Sequence, residues 1–262
     1  MQWDYFIGFS LSSLACWTIA AILAYKGNEF KKSVFFMVVG LIIFAAFIAG
    51  MWISLERPPL TTMGETRLWY SFFLPLVGLV IYIKRKYKWI LSLTILLSVV
   101  FICINIFNPE IHHKILMPAL QSIWFIPHVV VYIFAYSLVG IATVNALLIL
   151  ILRYNPEKEI SIMHLCDDLV NFGTAFLTIG LLLGSIWAKE AWGRFWSWDP
   201  KETWAAATVI IYLIYIHLRY HNPTERKIAA FILIFAFIIL QMCWFGVNYL
   251  PSAKEGGLHV YR

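Results

Sequence analysis

The sequence predicts an all-α fold: a polytopic membrane helix bundle of about eight transmembrane helices, with both termini on the outer, periplasmic side. Three observations carry this expectation. The chain of 262 residues is 61% hydrophobic and only 13% charged, with a mean hydropathy of +0.79, whereas a soluble domain runs at about a quarter charged. The apolar residues fall into runs near the ~20 residues that a helix needs to cross the hydrocarbon core. Lys and Arg alternate between the connections, with twelve in one set (Lys26, Lys31, Lys32, Lys84, Arg85, Lys86, Lys88, Arg153, Lys158, Arg219, Arg226, Lys227) and eight in the other. The richer set is read as cytoplasmic.

The spans are placed at 3–25, 34–54, 68–83, 89–107, 125–152, 170–188, 204–218 and 228–247. The first starts almost at the beginning of the sequence, without a basic leader or a small-residue cleavage site, so a retained helix is expected rather than a signal peptide. A Pro-Pro pair, Pro58–Pro59, stops the second span, and Glu65 stands at the mouth of the third. Residues 108–127 are too apolar for a solvated loop and are expected to lie in the interface as a short amphipathic segment. Residues 154–168 read as a short amphipathic linker helix with a solvated acidic face. The whole chain, 1–262, is read as a single membrane domain.

The net charge of +6 belongs to the loops on one side of a membrane and is no nucleic-acid signature. Cys16, Cys103, Cys166 and Cys243 have no CxxC spacing, so neither a disulfide framework nor thiol chemistry is expected. There is no Ser/His/Asp arrangement, no Gly-rich phosphate cradle and no HExxH helix, which removes most hydrolase and nucleotidase readings.

The stretch from Trp192 to Trp204, WGRFWSWDPKETW, holds the densest chemistry, with Trp192, Trp196, Trp198 and Trp204 beside Asp199, Lys201 and Glu202. Indoles favour the bilayer interface and also wall a flat aromatic ligand. A plain interfacial belt needs two or three tryptophans and no further pattern. Asp199 before Pro200 suggests a turn that opens the seventh helix; Asp199 and Glu202 can order the loop by bonding backbone amides and the nearby basic groups, and helix capping carries most of the weight for both carboxylates. Glu65 and Glu190, outward and interfacial, are expected to be solvated, which is the default for Glu202 too outside its capping role. Asn145 and Gln241 are expected to hydrogen-bond between helices.

Of the seven histidines, His112, His113, His164 and His221 read as solvated. His128 lies just inside the outer end of the fifth span, where a polar ring is costly unless it is paired or lines a cavity. Neutral imidazole is also the commonest axial ligand of haem iron. His259, behind Gly256 and Gly257 in the tail, falls on the same outer face. Two such ligands can share an iron only if the tail folds over the tryptophan loop. His217 sits near the inner end of the seventh span, a membrane's width from the other two, where a helix-capping role and a separate haem or relay position carry equal weight.

The motif WGRFWSWDPKETWAA, with GSIWAKEA before it and IYLIYIHLR after it, resembles the tryptophan-rich signature of the haem-handling proteins of cytochrome c maturation, and is more similar to the CcsA (ResC) type than to the CcmC type. LQSIWFIPHVVVYIFAYSLVG around His128, PPLTTMGETRLW in the outer loop and GGLHVY in the tail support it. The resemblance implies that haem b is presented at the outer face of a bacterial inner membrane, or an equivalent one, and joined to the CxxCH motifs of apocytochrome c. By the family's pattern His128 and His259 are the outer axial ligands. Trp192, Trp196, Trp198 and Asp199 belong to the haem-contacting loop, within a tryptophan-rich segment 190–204, and His217 matches an inner haem ligand. It further implies a CcsB-like membrane partner that completes a cytochrome c synthase, or haem lyase.

Joining two thiols to two vinyl groups asks for reduced iron, reduced thiols and orientation more than for an acid or base from the protein, so no catalytic side chain is expected. Lys189, Arg194 and Lys201 are close enough in sequence to meet the two propionates. Two rival readings remain. A membrane b-type electron carrier wants two imidazoles on facing helices, and a passive haem exporter or scaffold uses the tryptophans only as anchors.

Overall fold

A computed structural model describes residues 2–26, 29–112, 122–152 and 154–250. The described residues form eight long α-helices and short 3-10 turns, with no strand. The helices are α1 (Phe6–Tyr25), α2 (Phe30–Leu55), α3 (Met63–Arg85), α4 (Lys88–Phe107), α5 (Phe125–Ile151), α6 (Pro156–Trp192), α7 (Pro200–His221) and α8 (Arg226–Trp244). Seven of them are long and apolar enough to cross a membrane. The exception is α7, whose polarity comes from Lys201, Glu202 and Arg219 at its ends and from Tyr212, Tyr215 and Tyr220 along it. The chain is thus a multi-pass membrane protein. Its exposed surface carries large apolar side chains such as Ile7, Phe35, Ile42, Ile53, Phe172 and Phe231, which suits contact with lipid tails.

The chain divides into two compact units, residues 1–120 and 121–262. In the first, α1 packs on α2, α2 on α3, α3 on α4 and α4 back on α1. Short side chains bring these helices together. A Cβ on Gly40 would stand 2.5 Å from Trp17 Nε1, and one on Gly78 2.0 Å from Thr94 Oγ1. Hydroxyl and amide groups then bond across the seams, where an unpaired polar group is costly. Ser33 Oγ donates to the Ala20 carbonyl at 2.8 Å, Ser98 Oγ to Ser71 at 2.7 Å and Asn105 Nδ2 to Gly64 at 3.1 Å.

The second unit repeats the cycle with α5 on α6, α6 on α7, α7 on α8 and α8 on α5, and the α5–α6 seam is the most extensive. The expected linker helix at 154–168 is the first third of α6. Asn155 caps the helix by accepting from the Lys158 amide at 2.9 Å, Pro156 follows at the first helical position, and no further proline intervenes before Gly193. At 37 residues, α6 is about 55 Å long, well beyond a hydrocarbon core of ~30 Å. Asn145 departs from its expected role: Nδ2 donates to Ile141 of its own helix at 2.9 Å. All four cysteines are free thiols.

At the end of the first unit near α3, Trp3 stacks flat on His112, with ring centroids 3.7 Å apart and planes 4° apart. His112 is therefore packed rather than solvated as expected. Of residues 108–127, Pro109–His112 form one 3-10 turn; residues 113–121 lie outside the described residues.

Candidate functional site

Antiparallel packing brings the start of α5, the end of α6, the start of α7 and the end of α8 to one end of the second unit, joined by loop 193–199. Gly193 ends α6 with φ at 80°, a left-handed conformation that costs glycine little. A Cβ there would meet nothing within 4 Å, so the backbone and not the space asks for glycine.

His128 stands three residues into α5. Its Nδ1 lies 2.8 Å from the Gly180 carbonyl of α6. Trp187 stacks beside the ring at 5.5 Å and 30°, and Tyr132 meets it edge-on at 4.8 Å. Trp187 is 2% exposed and touches Trp192 at 4.9 Å and Phe125 at 5.3 Å. An aromatic chain thus runs from His128 through Trp187 to the tryptophan loop. Trp187 was absent from the residues singled out by sequence. Its signal was GLLLGSIW, in which Gly180 and Gly184 share a helix face one turn apart and open a slot for facing rings. A Cβ on Gly180 would come within 3.0 Å of Tyr132.

The loop itself is organised by one carboxylate. Glu202 Oε2 accepts from the Ser197 amide at 2.8 Å and the Asp199 amide at 3.2 Å, with Ser197 Oγ at 3.4 Å. Asp199 and Glu202 form a capping box at the start of α7, with Pro200 at its first position. Glu202 is 9% and Asp199 6% exposed: Glu202 takes the capping role expected of the two carboxylates rather than a solvated one, its chain folded back over the first turn. The two amides it holds flank Trp198, whose φ is 58° and whose side chain is 71% exposed. Trp196 meets Trp198 edge-to-face at 5.6 Å. The Trp196 Nε1 is buried without a hydrogen-bond partner among the described residues.

Of the three basic groups, Lys189 Nζ donates to the Gly193 carbonyl at 2.8 Å, while Arg194 is exposed. Glu190 is exposed and accepts from Ser122 Oγ at 2.7 Å. His259 lies outside the described residues.

At the opposite end of the unit, Arg219 Nε and Nη2 donate to Asp167 at 2.8 and 2.9 Å, and Tyr215 donates to the same carboxylate at 2.8 Å. Arg226 Nε donates to Glu159 at 2.6 Å. These pairs tie α6 to α7 and α8. His217 is exposed and stands 4.4 Å from His221, ring centroid to centroid. It borders an open apolar groove with Ile210, Leu213, Ile214 and Tyr220. It makes no hydrogen bond among the described residues, and the helix ends at Asn222, whose amide bonds Leu218. No group of three or more His, Cys, Asp or Glu suited to a metal ion occurs among the described residues.

Residues 6–253 match the family model for cytochrome c assembly proteins. The chain belongs to that family. Cytochrome c biogenesis protein CcsA of Cuscuta reflexa is 31% identical over 260 residues, covering 86% of this chain and 83% of the relative. CcsA of Nicotiana tomentosiformis is 33% identical over 268 residues, covering 87% and 82%. CcsA of Chlamydomonas reinhardtii is 40% identical over 154 residues, covering 56% and 42%. This is a cytochrome c biogenesis protein of the CcsA type, with a role in cytochrome c maturation, and its family match spans both four-helix units.

Proposed function

We propose that the loop end of the second unit binds haem b as substrate and presents it for attachment to the CxxCH motifs of apocytochrome c, and that both units serve as one haem-handling domain. The observation that carries this is the His128 ring, held by the Gly180 carbonyl beside the Trp187–Trp192 wall. The donor set fits the group. A neutral imidazole suits iron, indole faces suit a porphyrin, the buried Trp196 Nε1, without a partner among the described residues, supplies a donor edge, and exposed Arg194 suits a propionate. His259 is the proposed second axial ligand. Trp192, Trp196 and Trp198 are proposed to contact the ring, with Asp199 holding the loop from beneath.

Attachment adds a thiol S–H across each vinyl C=C, forming one C–S bond and placing the hydrogen on the neighbouring carbon. No electrons are exchanged in the sum, so the protein's part is to bind and orient, which suits a site with no acid–base pair at its centre. The loop and both termini face outward by the distribution of Lys and Arg, in a bacterial cytoplasmic membrane or its equivalent.

His217 is proposed as ligand to a second haem on the inner side. Its ring neighbour is His221, one turn along the same helix, and two such imidazoles cannot stand on opposite faces of one porphyrin. His221 cannot be the second ligand, and we take that ligand to come from a CcsB-like membrane partner that completes the synthase activity.

Replacing His128 by Ala is expected to abolish cytochrome c assembly in cells, with recovery on adding imidazole to the medium. Normal assembly in the His128→Ala protein would overturn the reading. A reduced-minus-oxidised spectrum separates the rivals. Absence of haem from the complex favours a scaffold, and haem lost only on changing His217 favours an electron carrier.

A further inference from the structure

In an α-helix each carbonyl accepts from the amide four residues on, and that residue's side chain covers the approach to it. Gly180 has Gly184 in that place. A Cβ on Gly184 would stand 2.5 Å from His128 Cε1 and 2.7 Å from Nδ1. The imidazole thus fills the volume that any side chain at 184 would take, and reaches the Gly180 carbonyl through it at 2.8 Å.

A ring nitrogen facing a carbonyl is the one that carries the hydrogen, so in the neutral ring the lone pair sits on Nε2. Trp187 and Tyr132 restrain the ring from two further directions. We propose that Gly184 and the Gly180 carbonyl are a positioning device that commits His128 to ligate iron through Nε2 and strengthens its donation by drawing on Nδ1–H. The inference rests on the haem-ligand reading of His128. It adds that the helix backbone, through the Gly180 carbonyl, supplies outer-shell support of the kind that metal-bound histidines ordinarily need.

The test uses the full chain purified with its membrane partner, comparing Gly184→Ala, Gly173→Ala and His128→Ala. Gly173 is the control for packing: its Cβ would stand 2.6 Å from Val139 Cγ1 in the same α5–α6 seam, three turns from the histidine. Gly184→Ala is expected to weaken haem retention on the order of 10 to 100-fold. It should also raise the midpoint potential of the haem that remains and erase part of the low-spin ferric signal, which added imidazole restores. Gly173→Ala should leave potential and spin state unchanged.

If Gly184→Ala keeps the parent potential and spectrum, or Gly173→Ala shifts them equally, the positioning role is overturned while the ligand reading stands. If His128→Ala keeps the parent spectrum, the ligand reading falls and this inference with it.

Discussion

Two corners, one in each unit, use the same kind of cap to different purposes. Before α3, Glu65 Oε2 accepts from the Thr61 and Thr62 amides at 2.7 and 3.2 Å, in a capping box with Thr62. Before α7, Glu202 Oε2 accepts from the Ser197 and Asp199 amides. The first corner takes consecutive amides and closes on itself. Arg57 clamps Glu65 with two bonds of 2.8 and 2.9 Å, and Trp69 spends its indole N–H on the Pro59 carbonyl at 2.9 Å. The second corner skips a residue. The skipped residue, Trp198, is thrust outward, Trp196 keeps its N–H unspent, and no basic side chain pairs with Glu202 among the described residues. One corner is a lock, and the other is a mount that turns Trp198 outward and leaves the buried Trp196 N–H without a partner among the described residues.

The sharpest way to break the comparison is Glu65→Ala. Glu65 is 1% exposed, and its loss strands the Arg57 guanidinium, whose side chain is 25% exposed, together with the buried Thr62 amide. A broken, largely buried pair of this kind costs about 3 kcal/mol. Thermal unfolding in detergent should show a clear fall in midpoint. A midpoint within a degree of the parent's would remove the lock.

How much of this was legible beforehand depends on what kind of signal each element carries. Apolar runs near span length gave every helix, because in lipid a run of that length has few other structures available to it. The merger of 154–168 into α6 was missed, since Asp167, Asp168 and Glu159 read as a solvated face, whereas Asp167 and Glu159 are tied to Arg219 and Arg226. Glu65 reads as solvated because it lies outward at the interface, and Glu202 reads both as an outward solvated carboxylate and, with Asp199, as a helix cap. Their burial was nonetheless written in Thr62-x-x-Glu65 and Asp199-x-x-Glu202, which are capping-box spacings. Histidine 128 stood out because a polar ring near a helix end needs a reason. Gly184 did not, because a glycine's meaning comes from what fills its missing side chain, and here that is a ring 56 residues earlier in the chain.

Next in size is the exchange of Gln for each capping glutamate. At 202 backbone and hydroxyl donors are the ones that face the carboxylate among the described residues, so the amide oxygen of Gln can take over. Glu202→Gln is expected to stay within about 0.5 kcal/mol of the parent, against about 1 to 2 kcal/mol lost in Glu202→Ala. At 65 Gln cannot serve the guanidinium, so Glu65→Gln should recover less than half of what Ala loses. Equal rescue at both corners, by chemical or thermal unfolding, would erase the distinction between lock and mount.

The smallest effect should have opposite signs in two assays. Trp198 sits at φ 58°, a conformation that costs a side-chain-bearing residue about 1 kcal/mol and glycine almost nothing. Trp198→Gly relieves that strain and removes a ring that is already 71% exposed, so little packing is lost. The variant is expected to unfold at the same temperature as the parent or slightly above it, while its haem retention and its support of cytochrome c assembly fall. A loss of stability would mean that Trp198 is part of the corner's own packing, as Trp69 is in the first unit. Full haem retention would mean that the strained turn serves something other than presenting an indole.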